Sequence, residues 1–413
     1  MKLTGKKATL FIFICWLAYI SAYLGRYSYS SVLTVLEGVY GKDVTGLVTM
    51  FLFFSYGLGQ FVSGMLSKKF NSIYLIAIGL FTSALCNLLV PVLIGVNFGF
   101  VKYLWLVNGF AQSLLWCNLV KLISIYLDDA KTSSTLIIMS TTVTLGTFIT
   151  YGLSAMFIEL NVYKMSFYTA SMVMTVALIT WLVCGLSLTG GKVHDKTEQK
   201  TEVVLTERVT SKPALALFMV SLFVAAISAG FIRDGIQTWF PTILKDVFGV
   251  GDSFSTLLTL TLPLVSFVGV FIGQKVTDNM KKPAISSGVS LIGTALFVLI
   301  VTLTLKLQII AIVIICFAFA VMLMNIVVHN STGVMPFRMK SYMHVGFISG
   351  LLDSFIYVGS GLATYVLGAL SDYLGWVDVF TILIIVALIT GVLALIGGFI
   401  SVKTQRIEPS LLK

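Results

Sequence analysis

Ser228–Leu244 reads SAGFIRDGIQTWFPTIL and places charge inside an apolar helix that begins near Pro213. On insertion scales a charged side chain at mid-bilayer costs about 2.5–3.5 kcal/mol, so it normally faces a cavity or a partner. Gln237 stands four residues beyond Arg233 and shares its face, whereas Asp234 is rotated by about 100° and is free to pair elsewhere. The structural alternative for Arg233 is an ion pair with Asp234 or Asp353. Half a chain earlier, YISAYLGRYSYSS (Tyr19–Ser31) buries Arg26 in the same way. One arginine per half is the pattern of a central anion site built at a repeat interface.

The rest of the composition supports a chain that lives in a bilayer. It is 58% hydrophobic and 11% charged, with mean hydropathy +1.00, which excludes a water-soluble fold. A membrane-spanning helix needs about 20 mostly apolar residues. Such runs fall at 8–36, 45–66, 72–94, 100–127, 132–158, 164–187, 213–243, 252–275, 283–304, 307–328, 341–370 and 376–402. No ten-residue alternation of the β-barrel kind occurs. The apolar run after MKLTGKK is too long for a signal peptide and is read as a retained first helix. The five cysteines all lie inside apolar spans and form neither a disulfide framework nor a CxxC metal site.

The net charge of +10 invites a nucleic-acid reading, but its placement argues against one. With the N terminus inside, 19 Lys and Arg fall on the inner side, 5 on the outer side and 3 (Arg26, Lys121, Arg233) within the membrane. That asymmetry is topogenic and predicts a multi-pass protein of the cell (inner) membrane with both termini cytoplasmic. Between spans six and seven, TGGKVHDKTEQKTEVVLTERVTSK is the only long polar stretch, a solvated linker by composition. The expected organisation is a six-helix bundle over 1–187, a linker over 188–212, a second bundle over 213–402 and a tail over 403–413.

Tyr19, Tyr23, Arg26 and Ser30 fall at i, i+4, i+7 and i+11, one stripe of a 3.6-period helix. Tyrosine hydroxyls and a planar guanidinium on one stripe make a donor-rich wall suited to phosphate or carboxylate. Gln60 is the one strongly polar side chain at the centre of the second span. Asn108, Gln112 and Trp116 share a stripe of the fourth span. Lys121 in that span reads equally as a pore residue or as a side chain snorkelling to the inner surface near Asp128 and Asp129. The fifth span is rich in threonine. Trp239 and Pro241 are expected to close the seventh span at the outer aromatic belt. Asn325 and His329 lie one turn apart in the tenth span. Asp353 in the eleventh shares a face with Tyr357, and it reads as a proton acceptor, a counter-charge to an arginine or a structural hydrogen-bonding group.

YISAYLGRYSYS, NGFAQSLLW, IRDGIQTWFPTIL and GFISGLLDSFIYVGSG resemble the organophosphate:phosphate antiporter family of the major facilitator superfamily, which includes glycerol-3-phosphate and sugar-phosphate transporters. The Arg-x5-Trp-x-Pro-Thr piece is the most specific of these. The resemblance covers most of the chain. It implies an all-α membrane protein with about twelve helices in two pseudo-symmetric six-helix bundles around a midplane cavity. It also implies one arginine per bundle gripping phosphate, by motif position Arg26 and Arg233, with Tyr19 and Tyr23 lining the cavity. The chain departs from the family pattern in three places. Gln60 stands where characterised glycerol-phosphate members have lysine, Thr142 or its neighbours where they have histidine, and Asp353 where they have glycine. The loop after the second span, GMLSKKFNS, has Ser67 where the superfamily signature has an acid.

The expected function is secondary transport of a small organic anion, most simply a phosphorylated metabolite exchanged for inorganic phosphate. The candidate binding residues are Arg26, Arg233, Tyr19, Tyr23, Gln60, Gln112, Trp116, Lys121, Gln237 and Tyr357. Asp353 and His329 are candidates for proton coupling, which belongs to the alternative of a proton-coupled organic-anion (carboxylate) symporter. A membrane receptor for a sugar phosphate is a third reading. No catalytic group, metal or cofactor is expected, no nucleic-acid partner, and a monomer suffices.

Overall fold

A computed structural model describes residues 2–190, 212–280, 282–339 and 345–402. The predicted tail, and all but the ends of the predicted linker, lie outside these residues. The first half contains α1 (Gly5–Ser30), which resumes after Ser31 and Val32 as Leu33–Tyr40, then α2 (Lys42–Lys69), α3 (Ser72–Val96) and α4 (Val101–Tyr126). It is completed by α5 (Asp129–Glu159) and α6 (Met165–Thr180), the latter prolonged to Thr189 through a π-helical turn, Trp181–Gly185. The second half contains α7 (Lys212–Phe248), a short Asp252–Leu258 helix, α8 (Thr261–Met280) and α9 (Pro283–Thr304). It ends with α10 (Ile310–His329, prolonged to Arg338 through the π turn Asn330–Val334), α11 (Val345–Leu374) and α12 (Trp376–Val402). Eleven helices among the described residues are long and apolar enough to cross a membrane. The region predicted as one span over 252–275 is instead the short helix plus α8, whose last turns carry Gln274, Lys275, Asp278 and Asn279.

The helix ends follow local chemistry. Asn71 caps α3 by accepting from the Ile73 N–H, and Asp128 caps α5 by accepting from the Lys131 N–H at 2.8 Å. That backbone N–H holds the Asp128 carboxyl below the usual carboxylate range. Pro283 occupies the first turn of α9, where its missing N–H is no loss. The expectation that Trp239 and Pro241 end the seventh span is corrected: α7 runs through Pro241 to Phe248. Trp239 is fully buried and its Nε1 donates to the Thr364 carbonyl at 3.1 Å. A partner in α11, rather than a headgroup layer, holds the indole there.

The apolar core shows how the halves meet. Lys2 donates to the carbonyls of Ser124 and Leu127, so the N terminus sits with the α4–α5 junction on what we call the terminal face. At that face there are separate clusters, one around Phe11, Ile14, Leu119 and Trp181 in the first half and one around Phe218, Met335 and Ile348 in the second. At the opposite face a single cluster joins both halves, with Tyr29, Leu36 and Trp105 packed in one core with Trp239, Phe240 and Phe317. Polar contacts between the halves follow the same division. Lys42 pairs with Asp246 at 2.8 Å and Asp372 at 3.0 Å, Thr242 donates to Glu37 at 2.8 Å, and Lys245 donates to the Thr34 carbonyl at 3.1 Å. All of these lie at the opposite face. Nearer the middle, α2 and α11 run against each other, with Ser354 donating to the Gly57 carbonyl at 2.8 Å.

Candidate functional site

Tyr19, Tyr23 and Tyr27 rise along α1 at four-residue spacing and form a continuous aromatic wall. Tyr19 stacks on Trp116 of α4 with centroids 4.8 Å apart, Tyr23 stacks on Tyr27 at 6.0 Å, and Tyr27 meets Tyr151 of α5 at 6.2 Å. Arg26, 5% exposed, lies beside this wall. Its guanidinium carbon is 4.1 Å from the centroid of the Tyr56 ring and 5.1 Å from that of Tyr23, a geometry in which ring quadrupoles attract the cation. Its Nε donates to Gln112 at 3.0 Å. Gln112 donates to Asn108 at 3.1 Å, and Asn108 donates back to the Gly25 carbonyl at 3.3 Å. Arg26 is thus oriented by neutral groups, and among the described residues no carboxylate forms an ion pair with it.

Arg233 is held in a different way. Its Nε donates to Asp234 Oδ1 and its Nη2 to Oδ2, both at 2.8 Å. Adjacent residues on a helix point about 100° apart, but the long arginine stem reaches round to its neighbour, so of the sequence readings the ion pair of Arg233 with Asp234 is the one seen. Asp234 is 4% exposed and also accepts from the Ser360 hydroxyl of α11.

Both arginines open onto one cavity of about 430 Å³ between the halves. Of the candidates from sequence, Tyr19, Tyr23, Trp116, Gln237, His329 and Tyr357 join them on its wall. The other candidates stand elsewhere. Gln112 is one layer back, behind Arg26. Gln60 is buried with its Nε2 donating to Tyr56 at 2.6 Å and its Oε1 accepting from Cys117 at 3.1 Å, so it positions the ring that Arg26 faces. Asp353 is off the wall but within Coulombic reach of both arginines. Lys121 leaves the cavity altogether. Its ammonium reaches the Ser67 carbonyl at 2.5 Å, so of its two sequence readings the snorkelling one describes its position.

The wall also holds residues that the sequence reading did not select. Tyr27 and Tyr151 line it, and Tyr27 lies on the Tyr19–Tyr23 stripe at i+8, a signal that was present. In the threonine-rich α5 it is Ser140, Thr144 and Thr147 that reach the cavity. Thr142 is fully buried and donates to the Met139 carbonyl. Asn325 lines the cavity with His329. Chemically, the site offers two guanidinium groups, a set of hydroxyls and a broad aromatic surface, with one carboxylate, Asp234, beside the second arginine.

Comparison with known proteins agrees with this architecture. The family described as Major Facilitator Superfamily matches residues 15–339. The chain is 23% identical to the glycerol-3-phosphate transporter of Bacillus subtilis (strain 168) over 402 residues, 92% of this chain and 90% of that protein. It is 31% identical over 113 residues to a probable hexose phosphate transport protein of Chlamydia pneumoniae, 26% of this chain and 24% of that protein. It is also 31% identical over 103 residues to the membrane sensor protein UhpC of Escherichia coli (strain K12), 24% of this chain and 20% of that protein. Among solved structures, a bacterial homolog of the human lysosomal transporter Spinster superposes with TM-score 0.76 at 14% identity, covering 98% of this chain and all of that one. That likeness concerns the fold. By family match and fold the chain belongs to the Major Facilitator Superfamily.

Proposed function

We propose that the chain is a secondary transporter that exchanges a phosphorylated small metabolite, a sugar phosphate or glycerol phosphate, for inorganic phosphate by alternating access. The observation that carries this reading is the pair Arg26 and Arg233, one from each half, on a single cavity of about 430 Å³. That volume is within the usual range for small-molecule sites. A guanidinium presents paired N–H groups that match phosphate oxygens, and the tyrosine and tryptophan faces suit the carbon body of an ester. An anion held between the halves offsets the desolvation of the arginines and draws the bundles together. A cargo with differential affinity for the two states then shifts the population between them.

The joined core at the opposite face and the separate cores at the terminal face support a state open toward the termini. With both termini cytoplasmic, this is the inward-open state of a cell-membrane protein acting as a monomer. Conversion requires Lys42 to leave Asp246 and Asp372, and Glu37 to leave Thr242. Transport by this route uses no catalytic group, cofactor or metal.

A second reading, proton-coupled symport of an organic anion such as a carboxylate, draws on Asp353 standing within reach of both arginines, with His329 on the cavity wall as the other candidate. Phosphate counterflow separates the two. Proteoliposomes loaded with inorganic phosphate receive labelled phosphate outside, with unlabelled sugar phosphates, glycerol phosphates and carboxylates as competitors. Rapid exchange without a pH gradient, blocked by one organophosphate, is the expected result. Absence of exchange by folded protein would move the assignment to proton-coupled transport or to a sugar-phosphate receptor.

A further inference from the structure

We propose that Asp234 is a resident counter-anion of Arg233, one that weakens cargo binding and lets the carrier reorient unloaded. This rests on the anion-exchange reading above and deepens it. The ion pair takes two of the five guanidinium N–H groups, one on Nε and one on Nη2. It leaves the donors on Nη1 and one on Nη2 for a ligand. Arg233 therefore keeps its directional donors, while most of its long-range charge is cancelled by a carboxylate that repels any anion placed beside it. Arg26, hydrogen-bonded to a neutral amide, has no carboxylate paired with it among the described residues to cancel its charge in this way.

The backbone holds the counter-anion in place. A Cβ on Gly230 would lie 1.9 Å from the Ile356 carbonyl oxygen, and one on Gly359 would lie 1.9 Å from that of Ile227. The axes of α7 and α11 thus cross at two glycines, the close approach that small residues permit. Asp234 and Ser360 follow these glycines on their respective helices by four residues and by one. The Ser360 hydroxyl bound to Asp234 ties the carboxylate across that crossing. Asp234 is therefore not free to swing away from Arg233 while the two helices stay in contact.

The consequence for coupling is specific. With two uncompensated guanidinium groups, unloaded closure would be opposed by mutual repulsion and flux would be restricted to exchange. With Asp234 in place, the charge of Arg233 is cancelled by its own neighbour and the repulsion between the two guanidinium groups falls, so unloaded return is easier and net efflux accompanies exchange. The cost is lower affinity, since like charges placed together at a binding site are strongly unfavourable.

The test uses the full chain, folded by thermal-melting criteria, with inorganic phosphate as the probe. Asp234→Asn is expected to bind labelled phosphate at least about tenfold more tightly than wild type. In proteoliposomes it should lower the ratio of net phosphate efflux into phosphate-free medium to phosphate–phosphate exchange. Ser360→Ala keeps the charge and removes one tether, so it should move both readouts the same way by less, and it decides the matter where Asp234→Asn does not fold. Equal or weaker phosphate binding by the folded Asp234→Asn protein, with wild type binding normally, would overturn the role of Asp234 alone. Absence of phosphate binding by both proteins would overturn the anion-exchange reading as well.

Discussion

Arg26 and Arg233 occupy equivalent places in the two halves and are held by opposite means. Arg26 has a glutamine, two aromatic faces and a relay of amides leading back to its own helix. Arg233 has a bidentate carboxylate next to it in sequence. A buried charge oriented by neutral acceptors and rings keeps its field, whereas a paired one keeps its hydrogen-bonding geometry and gives up the field. Two bundles of similar design therefore contribute differently to one site. The first half supplies attraction and the second supplies direction and release.

Four substitutions break or sharpen this contrast. The largest effect is expected from Gly359→Val, which forces side-chain atoms onto the Ile227 carbonyl and separates α7 from α11. Overpacking of this kind costs about 3 kcal/mol or more, read as a lowered melting temperature, while the Arg26 relay in the other half is untouched. Gln112→Leu comes next. It removes a hydrogen bond to a charged group and leaves the Arg26 Nε–H buried without an acceptor, a loss of about 1.5–3 kcal/mol. Phosphate affinity measured by equilibrium binding should fall by at least about tenfold. Asp353→Asn is expected to leave phosphate counterflow within about threefold of wild type and insensitive to an imposed pH gradient. Loss of gradient-driven uptake with exchange intact would instead support proton coupling through Asp353. The smallest effect is expected from Lys42→Gln. The pairs of Lys42 with Asp246 and Asp372 are partly exposed, and such pairs contribute about 1 kcal/mol or less. Labelling of a cysteine placed on the cavity wall, from the side opposite the termini, should rise modestly.

Much of this was legible in the sequence, for physical reasons that also mark where legibility ends. Charges in apolar runs are costly, so Arg26 and Arg233 stood out, and helical periodicity was enough to place Tyr19 and Tyr23 on one face with Arg26. Periodicity describes where a Cβ points and says little about how far a long side chain bends. It therefore left open whether Asp234 pairs with Arg233 or elsewhere, and the bend of the Arg233 stem decides it. Lys121 likewise had two readings from its Cβ position, and only the reach of its side chain to the Ser67 carbonyl separates them. Gln60 and Gln112 were selected as polar residues deep in the membrane, but depth in the membrane does not separate a wall from the layer supporting it. Tyr151 and Ser140 needed the packing of α5 against α1 before they could be seen as lining. Trp239 shows the reverse error: an aromatic near a helix end suggested an interface, and tertiary contact with Thr364 buried it.

The central claim is that one arginine from each half must hold the same anion with a planar, multidentate guanidinium. Its most direct test is phosphate counterflow by Arg26→Lys and Arg233→Lys in parallel with wild type, each shown to be folded. Lysine keeps the charge and loses the fork, so both variants should lose exchange by about a hundredfold or more. Unchanged flux in both would contradict the account.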